Sequence, residues 1–303
     1  MMDGSKGEMS DREQASDHPP AVVIPPSVSD EDLAALTSAV KALEQSSLAS
    51  RLNAVLGRQI DFAAQIVPAP VLSVVNKATV AALRVALRAA VRSLKGQKPQ
   101  SAARPRLHMA AAALSGAAGG AFGLAALPVE LPVSTSIMLR SIAEIAREEG
   151  EDLADPATMM ACLEVFALGS GGNSGPAGES GYLAMRSLLA KSVTEAGRYL
   201  VGRGFADEAA PAIVRLLSQI ASRFGVAVGQ KAMSAAVPVI GAVTGAALNA
   251  SFTDHFQSVA RAHFTVRRLE RRYGIDIIQA LFDDLRGKAG ANATPTRQLT
   301  SAG

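Results

Sequence analysis

Two long stretches without charge constrain this chain more than any other feature. Residues 107–129 run 23 positions without Asp, Glu, Lys or Arg and hold nine Ala and four Gly; residues 232–253 run another 22. Gly116 and Gly120, Gly119 and Gly123, and Gly241 and Gly245 stand four apart. That spacing lines each pair along one helix face, a glycine zipper that lets two backbones approach closely in membranes or in tight soluble bundles. Both stretches are expected to be central helices packed face to face. Glu130, set between Pro128 and Pro132, is the one charge where the first stretch ends.

Each stretch is about as long as a membrane-crossing helix. Length is outweighed by composition, because Ala and Gly favour insertion far less than Leu, Ile, Phe or Val. Mean hydropathy is only +0.20. A soluble or peripheral protein is therefore favoured over an integral one, with a re-entrant hairpin broken at Pro128 and Pro132 between the two.

The rest of the chain reads as helix. Ser29 and Asp32 form a capping box that opens a first helix, expected to run to about residue 66, where Pro68 and Pro70 interrupt it. A second covers about 71–95, and GQKPQSAARP (96–105) reads as a linker and domain boundary. Further helices are expected near 106–127, 133–149, 156–168, 179–202, 207–234, 240–273 and 275–287. Gly150 supplies a C-terminal cap, and Pro156 behind Asp155 a start. No period-two alternation and no Asn-Gly turn supports a strand. The expected fold is all-α, a compact multi-helix bundle with Gly/Ala-rich central helices. It divides into an acidic disordered tail (1–28), N-terminal helices (29–98), a helical core (106–287) and a flexible C-terminal tail (288–303).

Charge is unevenly placed. Residues 1–32 carry −6 and residues 33–107 carry +9, while the remainder balances. Such asymmetry speaks to partners rather than to fold. Lys77, Arg84, Arg88, Arg92 and Lys95 fall within an arc of about 80° on the second helix. Opposite them lie Val75, Ala82, Ala86 and Ala90, flanked by Leu83, Leu87 and Leu94. Such a helix either lies on an anionic membrane surface or is an ordinary surface helix with a basic solvated side. Without interleaved aromatics or a docking motif, nucleic acid is not an expected partner. The polar, acidic N-terminus lacks a signal-length apolar core, so the expected address is the cytoplasm, with peripheral attachment at the inner membrane face.

Little in the chain announces chemistry. Cys162 lies in the apolar run MMACLEVFAL and is expected to be a plain buried thiol. GSGGNSG (169–175) lacks the Gly-Lys-Ser/Thr of a phosphate loop and follows no strand, and Pro176 spoils a Gly-x-Ser-x-Gly frame around Ser174. His255 and His263 are eight apart, too far to share a metal directly, so no metal and no cofactor is expected. Asp254 beside His255 reads as a polar pair on a helix surface. Glu130 and Glu164, each in apolar surroundings, are the candidate catalytic acids, with Arg140 the nearest cation to Glu130; a buried carboxylate is usually paired or shifted in pKa.

GGAFGLAALPVELPVSTSIMLRSIAEIAREEGEDL, ACLEVFALGS and AVPVIGAVTGAALNASFTDHFQSVARAHFTVRRLERRYG together resemble the EcsC protein family, over about residues 70–285. The resemblance implies a bacterial accessory protein linked to an ABC transporter or its membrane. It brings no reaction and no catalytic residues. The expected function is thus non-enzymatic, in association with a membrane or a membrane transporter complex. The alternative is an enzyme or small-ligand-binding protein with its site near the PVELP turn.

Overall fold

A computed structural model describes residues 28–45, 48–56, 69–94, 127–170, 181–203, 210–235 and 242–293. These form nine helices and no strand among the described residues: α1 (Asp30–Gln45), α2 (Leu48–Leu56), α3 (Ala69–Leu94), α4 (Leu127–Glu148), α5 (Pro156–Leu168), α6 (Gly181–Arg203), α7 (Pro211–Ala235), α8 (Ala242–Tyr273) and α9 (Ile275–Ala293). The all-α bundle expected from the sequence is the fold. Residues 1–27 and 294–303 of the tails, residues 106–126 of an expected helix and the glycines at 116, 119, 120, 123 and 241 lie outside the described residues, as do the surroundings of Gly245; α9 runs to Ala293, into the stretch expected as a flexible C-terminal tail.

The helix ends follow their local chemistry. Ser29 Oγ accepts from the Asp32 amide at 3.2 Å and opens α1. Gly150 at φ +81° closes α4: its amide donates to the Arg147 carbonyl, and the Glu151 amide to the Ala146 carbonyl. These are the two bonds of a Schellman motif, which needs a residue that tolerates left-handed backbone. Asp155 caps α5 through the Ala157 amide at 2.9 Å, with Pro156 in the first turn. Two expectations give way. The first helix, expected to run to about residue 66, is instead two, α1 ending at Gln45 and α2 running from Leu48 to Leu56. And α4 starts at Leu127 rather than 133, since Pro128 falls in the first turn, where its missing N–H costs nothing.

At the centre is α5. Every residue from Thr158 to Ala167 is buried, so this helix is apolar all round and enclosed by α4, α6, α7 and α8. Phe166 meets Phe224 of α7 and Phe256 of α8 at ring-centroid distances of 4.7 and 5.6 Å. Leu48 and Leu52 of α2 and Val75, Ala82, Leu83, Ala86 and Leu87 of α3 belong to the same core. The helices on the two sides of residues 96–105 therefore share one interior, and that segment does not separate two cores. A second cluster joins Leu36 and Val40 of α1 to Val266 and Leu269 of α8 and to Ile278 and Phe282 of α9. Helix α8, about 48 Å long by its 32 residues, runs through both clusters.

Among the described residues one helix, Pro211–Lys231, is long and apolar enough to cross a membrane, and 56% of that window is buried inside the protein. Of the stretch at 107–129 only 127–129 are described, at the start of α4, and that at 232–253 is described to Ala235 in α7 and from Ala242 in α8.

Candidate functional site

On α8, His263, Arg267 and Glu270 recur every three or four residues and Arg271 lies one turn beyond Arg267, so the four fall within an arc of about 100°; on α6, Tyr182 and Arg186 are one turn apart. These two faces meet over α5 and enclose a charged network. Arg186 holds Glu270 through two bonds of 2.7 Å. Arg267 holds Glu151, in the turn after α4, at 2.8 and 3.2 Å, and Arg271 donates to the same carboxylate. Thr158 of α5 adds a hydroxyl to Glu151 at 3.3 Å. Fork-to-carboxylate pairing fixes geometry as well as charge. Burial disfavours the ionised form of Glu151, yet Arg267 and Arg271 outweigh it and hold its pKa below the usual value. In Arg186 the bonds to Glu270 likewise outweigh burial and raise its pKa.

Glu164 is the exception within this network. It is 4% exposed, and its Oε1 has no hydrogen-bond partner. Burial pushes its pKa up to about 7; Arg186 and Arg267 pull it down and Glu270 pushes it further up, but both guanidiniums are already engaged with other carboxylates. Glu164 is thus poised to hold or release a proton near neutrality. His263 is 0% exposed, and burial holds its pKa well below the ordinary value, with the charges of Arg186 and Arg267 adding to the effect. Its Nδ1 lies 3.0 Å from Tyr182 Oη, which also accepts from Arg186 at 3.5 Å. The His263 tautomer sets which of the two donates, and its Nε2 has no partner. The unpartnered Nε2 of His263 and Oε1 of Glu164 thus lie near the same two guanidiniums.

Cys162 is no nucleophile. Burial first, and Glu151 second, push its pKa upward, so the thiol stays protonated. No group of three His, Cys, Asp or Glu among the described residues could hold a metal ion.

The three acid–base candidates do not converge. Glu130 pairs with Lys231 of α7 at 2.7 Å, not with Arg140, and both partners are nearly buried, at 12% and 10% side-chain exposure. Ten residues separate Glu130 from Arg140, about 15 Å along α4, and Arg140 instead reaches Glu144 at 3.6 Å. The Lys231 ammonium also lies 5.4 Å from the centre of the Phe252 ring, a cation–π contact. Glu164 faces the other network altogether. Nor is Asp254–His255 a surface pair. Asp254 bonds Arg51 of α2, whereas His255 is buried with Nε2 2.7 Å from the Gly169 carbonyl and, through burial, a pKa down to about 4.

Asp32 escaped the sequence reading as anything beyond a cap. It is buried, and accepts from Arg268, Arg272 and the Tyr273 hydroxyl at 3.3, 2.8 and 2.6 Å. The tyrosine bond is the largest of several effects that lower its pKa. The dense basic run of α8 was the available signal, for so many arginines beside a core need carboxylates.

On α3 the apolar stripe of Val75, Ala82, Leu83, Ala86 and Leu87 is buried against α4 and α7. Lys77 and Arg88 are exposed and Arg84 is half-buried; the side chains of Arg92 and Lys95 lie outside the described residues.

A model of the EcsC protein family matches residues 24–269. The chain belongs to this family. The match takes in α1 to α3, helices upstream of residue 70 included, in keeping with the core that α2 and α3 share with α4 to α8. No curated protein and no solved structure matches it. Within this EcsC protein, the network on α5, α6 and α8 and the basic face of α3 are the two features that the hydrophobic core does not require.

Proposed function

We propose that this EcsC protein is a non-enzymatic accessory protein that attaches peripherally to an anionic membrane face, on the cytoplasmic side, through α3. In a bacterium this would place it beside a membrane transporter, the setting that the family resemblance implies. One observation carries the reading. Helix α3 contains no acid, spends its apolar stripe in the core, and turns Lys77 and Arg88 outward. With that stripe committed, attachment is electrostatic, worth about 1 kcal/mol per base near an anionic surface and weakened by salt. Most of the interior network is of a structural kind, with Arg186, Arg267 and Arg271 matched to Glu270 and Glu151 and Glu164 left out of the pairing.

The test is co-sedimentation with vesicles rich in phosphatidylglycerol. The full chain binds at low salt and is released by 0.5 M NaCl, and replacing Lys77, Arg84, Arg88, Arg92 and Lys95 by Ser abolishes binding. Unchanged sedimentation of that variant overturns the reading. Retention of the native protein in membranes after carbonate extraction does so too, in favour of an integral protein.

A further inference from the structure

Helices α3 and α7 pack antiparallel: Asn76 lies against Gly225, and Val80 faces the level of Ser218, Ala221 and Ser222. Contact is so close that a Cβ on Gly225 would stand 2.1 Å from Asn76 Oδ1. Away from that contact the helices part and leave a groove of about 340 Å³, lined by Asn76, Lys77, Val80, Ser218, Ala221 and Ser222, with a predominantly apolar surface. The volume is at the small end of ligand clefts, about 300–1,000 Å³.

Charge is one-sided here. Neither α3 nor α7 contains a single Asp or Glu. Lys77 stands on the groove wall itself, with Arg84 and Arg88 further along the same helix. Beyond the Asn76 end, Val74 and Val226 are 66% and 41% exposed, and the pairing of Asn76 with Gly225 puts them at nearly the same level. An apolar slot, a cation on its wall and apolar residues at its mouth match an amphiphile with one chain and one anionic head. A nucleotide base would want an aromatic platform, and no aromatic lines the slot. A helical peptide would need a longer trough than this volume provides.

We propose that the α3–α7 groove binds one acyl chain of an anionic phospholipid, with the headgroup phosphate paired to Lys77. This rests on the membrane-surface reading and deepens it, since it gives α3 a specific lipid contact in addition to a diffuse positive field. The chain lies along Val80 and Ala221, the serine hydroxyls line the rim, and Val74 and Val226 meet the acyl region of the neighbouring lipids.

The experiment measures binding of lysophosphatidylglycerol monomers, below their micelle concentration, to the full-length protein by calorimetry. Lysophosphatidylcholine and glycerol phosphate are run alongside. Saturable binding of the anionic lysolipid is expected, with no competition from glycerol phosphate alone. The double variant Ser218→Trp/Ser222→Trp fills the groove from two exposed positions and weakens binding at least tenfold, with helicity by circular dichroism unchanged. Lys77→Ser costs about tenfold for the anionic lysolipid, the loss of one charge-assisted contact, and less for the zwitterionic one, whose phosphate charge is already offset by its choline. Equal binding by the native protein and the tryptophan variant overturns the proposal, as does no binding by the native protein. Sedimentation on anionic vesicles separates the two claims: a tryptophan variant that still sediments at low salt leaves the surface reading standing when the groove fails. A native protein that ignores vesicles yet binds monomers in the groove sinks the surface reading alone.

Discussion

The interior face of α8 and the outer face of α3 are both rich in bases, and they use them in opposite ways. Near the end of α8 four guanidiniums meet carboxylates brought from elsewhere: Arg267 and Arg271 meet Glu151, and Arg268 and Arg272 meet Asp32. On α3 no acid exists within the helix, and its exposed bases point away from the core. The matched charge inside orders the fold, whereas Lys77 and Arg88 lie at the surface, within reach of a partner. The carboxylates of these pairs are buried, as are more than half of each guanidinium side chain except that of Arg272, so breaking one is costly; the outer charges barely enter the stability of the fold.

The largest effect that would sharpen this contrast is expected from Arg186→Met. It strands Glu270 in a buried site and should cost about 3–5 kcal/mol in urea unfolding. The double change Arg186→Met/Glu270→Met should recover much of that loss, because it leaves no orphaned charge. A double variant as unstable as the sum of its singles would break the argument.

A smaller effect of opposite sign is expected at Glu164. Its pKa is raised from 4.5 to about 7 in the folded state, so the folded protein binds a proton there that the unfolded chain gives up. The stability this contributes is fully present below about pH 4.5 and is lost as pH rises through 7. Glu164→Gln should therefore match the native protein in acid and exceed it by up to about 3 kcal/mol at pH 8. Taking the difference between the two removes the opposing contributions of His255 and His263, whose buried neutral rings favour the fold as pH rises through their unfolded values. A variant less stable than native at pH 8 would mean that ionised Glu164 is a useful partner for Arg186 or Arg267. The smallest effect belongs to Arg140→Ala, which removes an exposed pair with Glu144 and should change stability by no more than about 0.5 kcal/mol.

Much of the fold was legible because its signals are local. Gly150, Asp155 and Pro156 mark ends that depend on one or two residues, and the helix between 156 and 168 was placed correctly from them. The interior position of Glu164 was legible too, from its apolar neighbours. Its partners were not. Glu130 chose Lys231, 101 residues away, over Arg140 because helix packing decides which charges meet, and spacing along one helix said only that Arg140 was near in sequence. His255 looked superficial beside Asp254 for the same reason: consecutive residues on a helix point about 100° apart, so one can be buried while the other is not. Asp32 carried a sufficient local explanation as a cap, which hid its longer-range bonds to the end of α8.

Cys162 gives the molecule a built-in chemical clock. It is the only thiol in the chain, it is sealed at the middle of α5, and burial keeps it protonated. An alkylating reagent can reach its Sγ only when the surrounding helices have parted. The labelling rate therefore counts openings of the centre, and it can be followed while lipid, salt or pH acts on the outside.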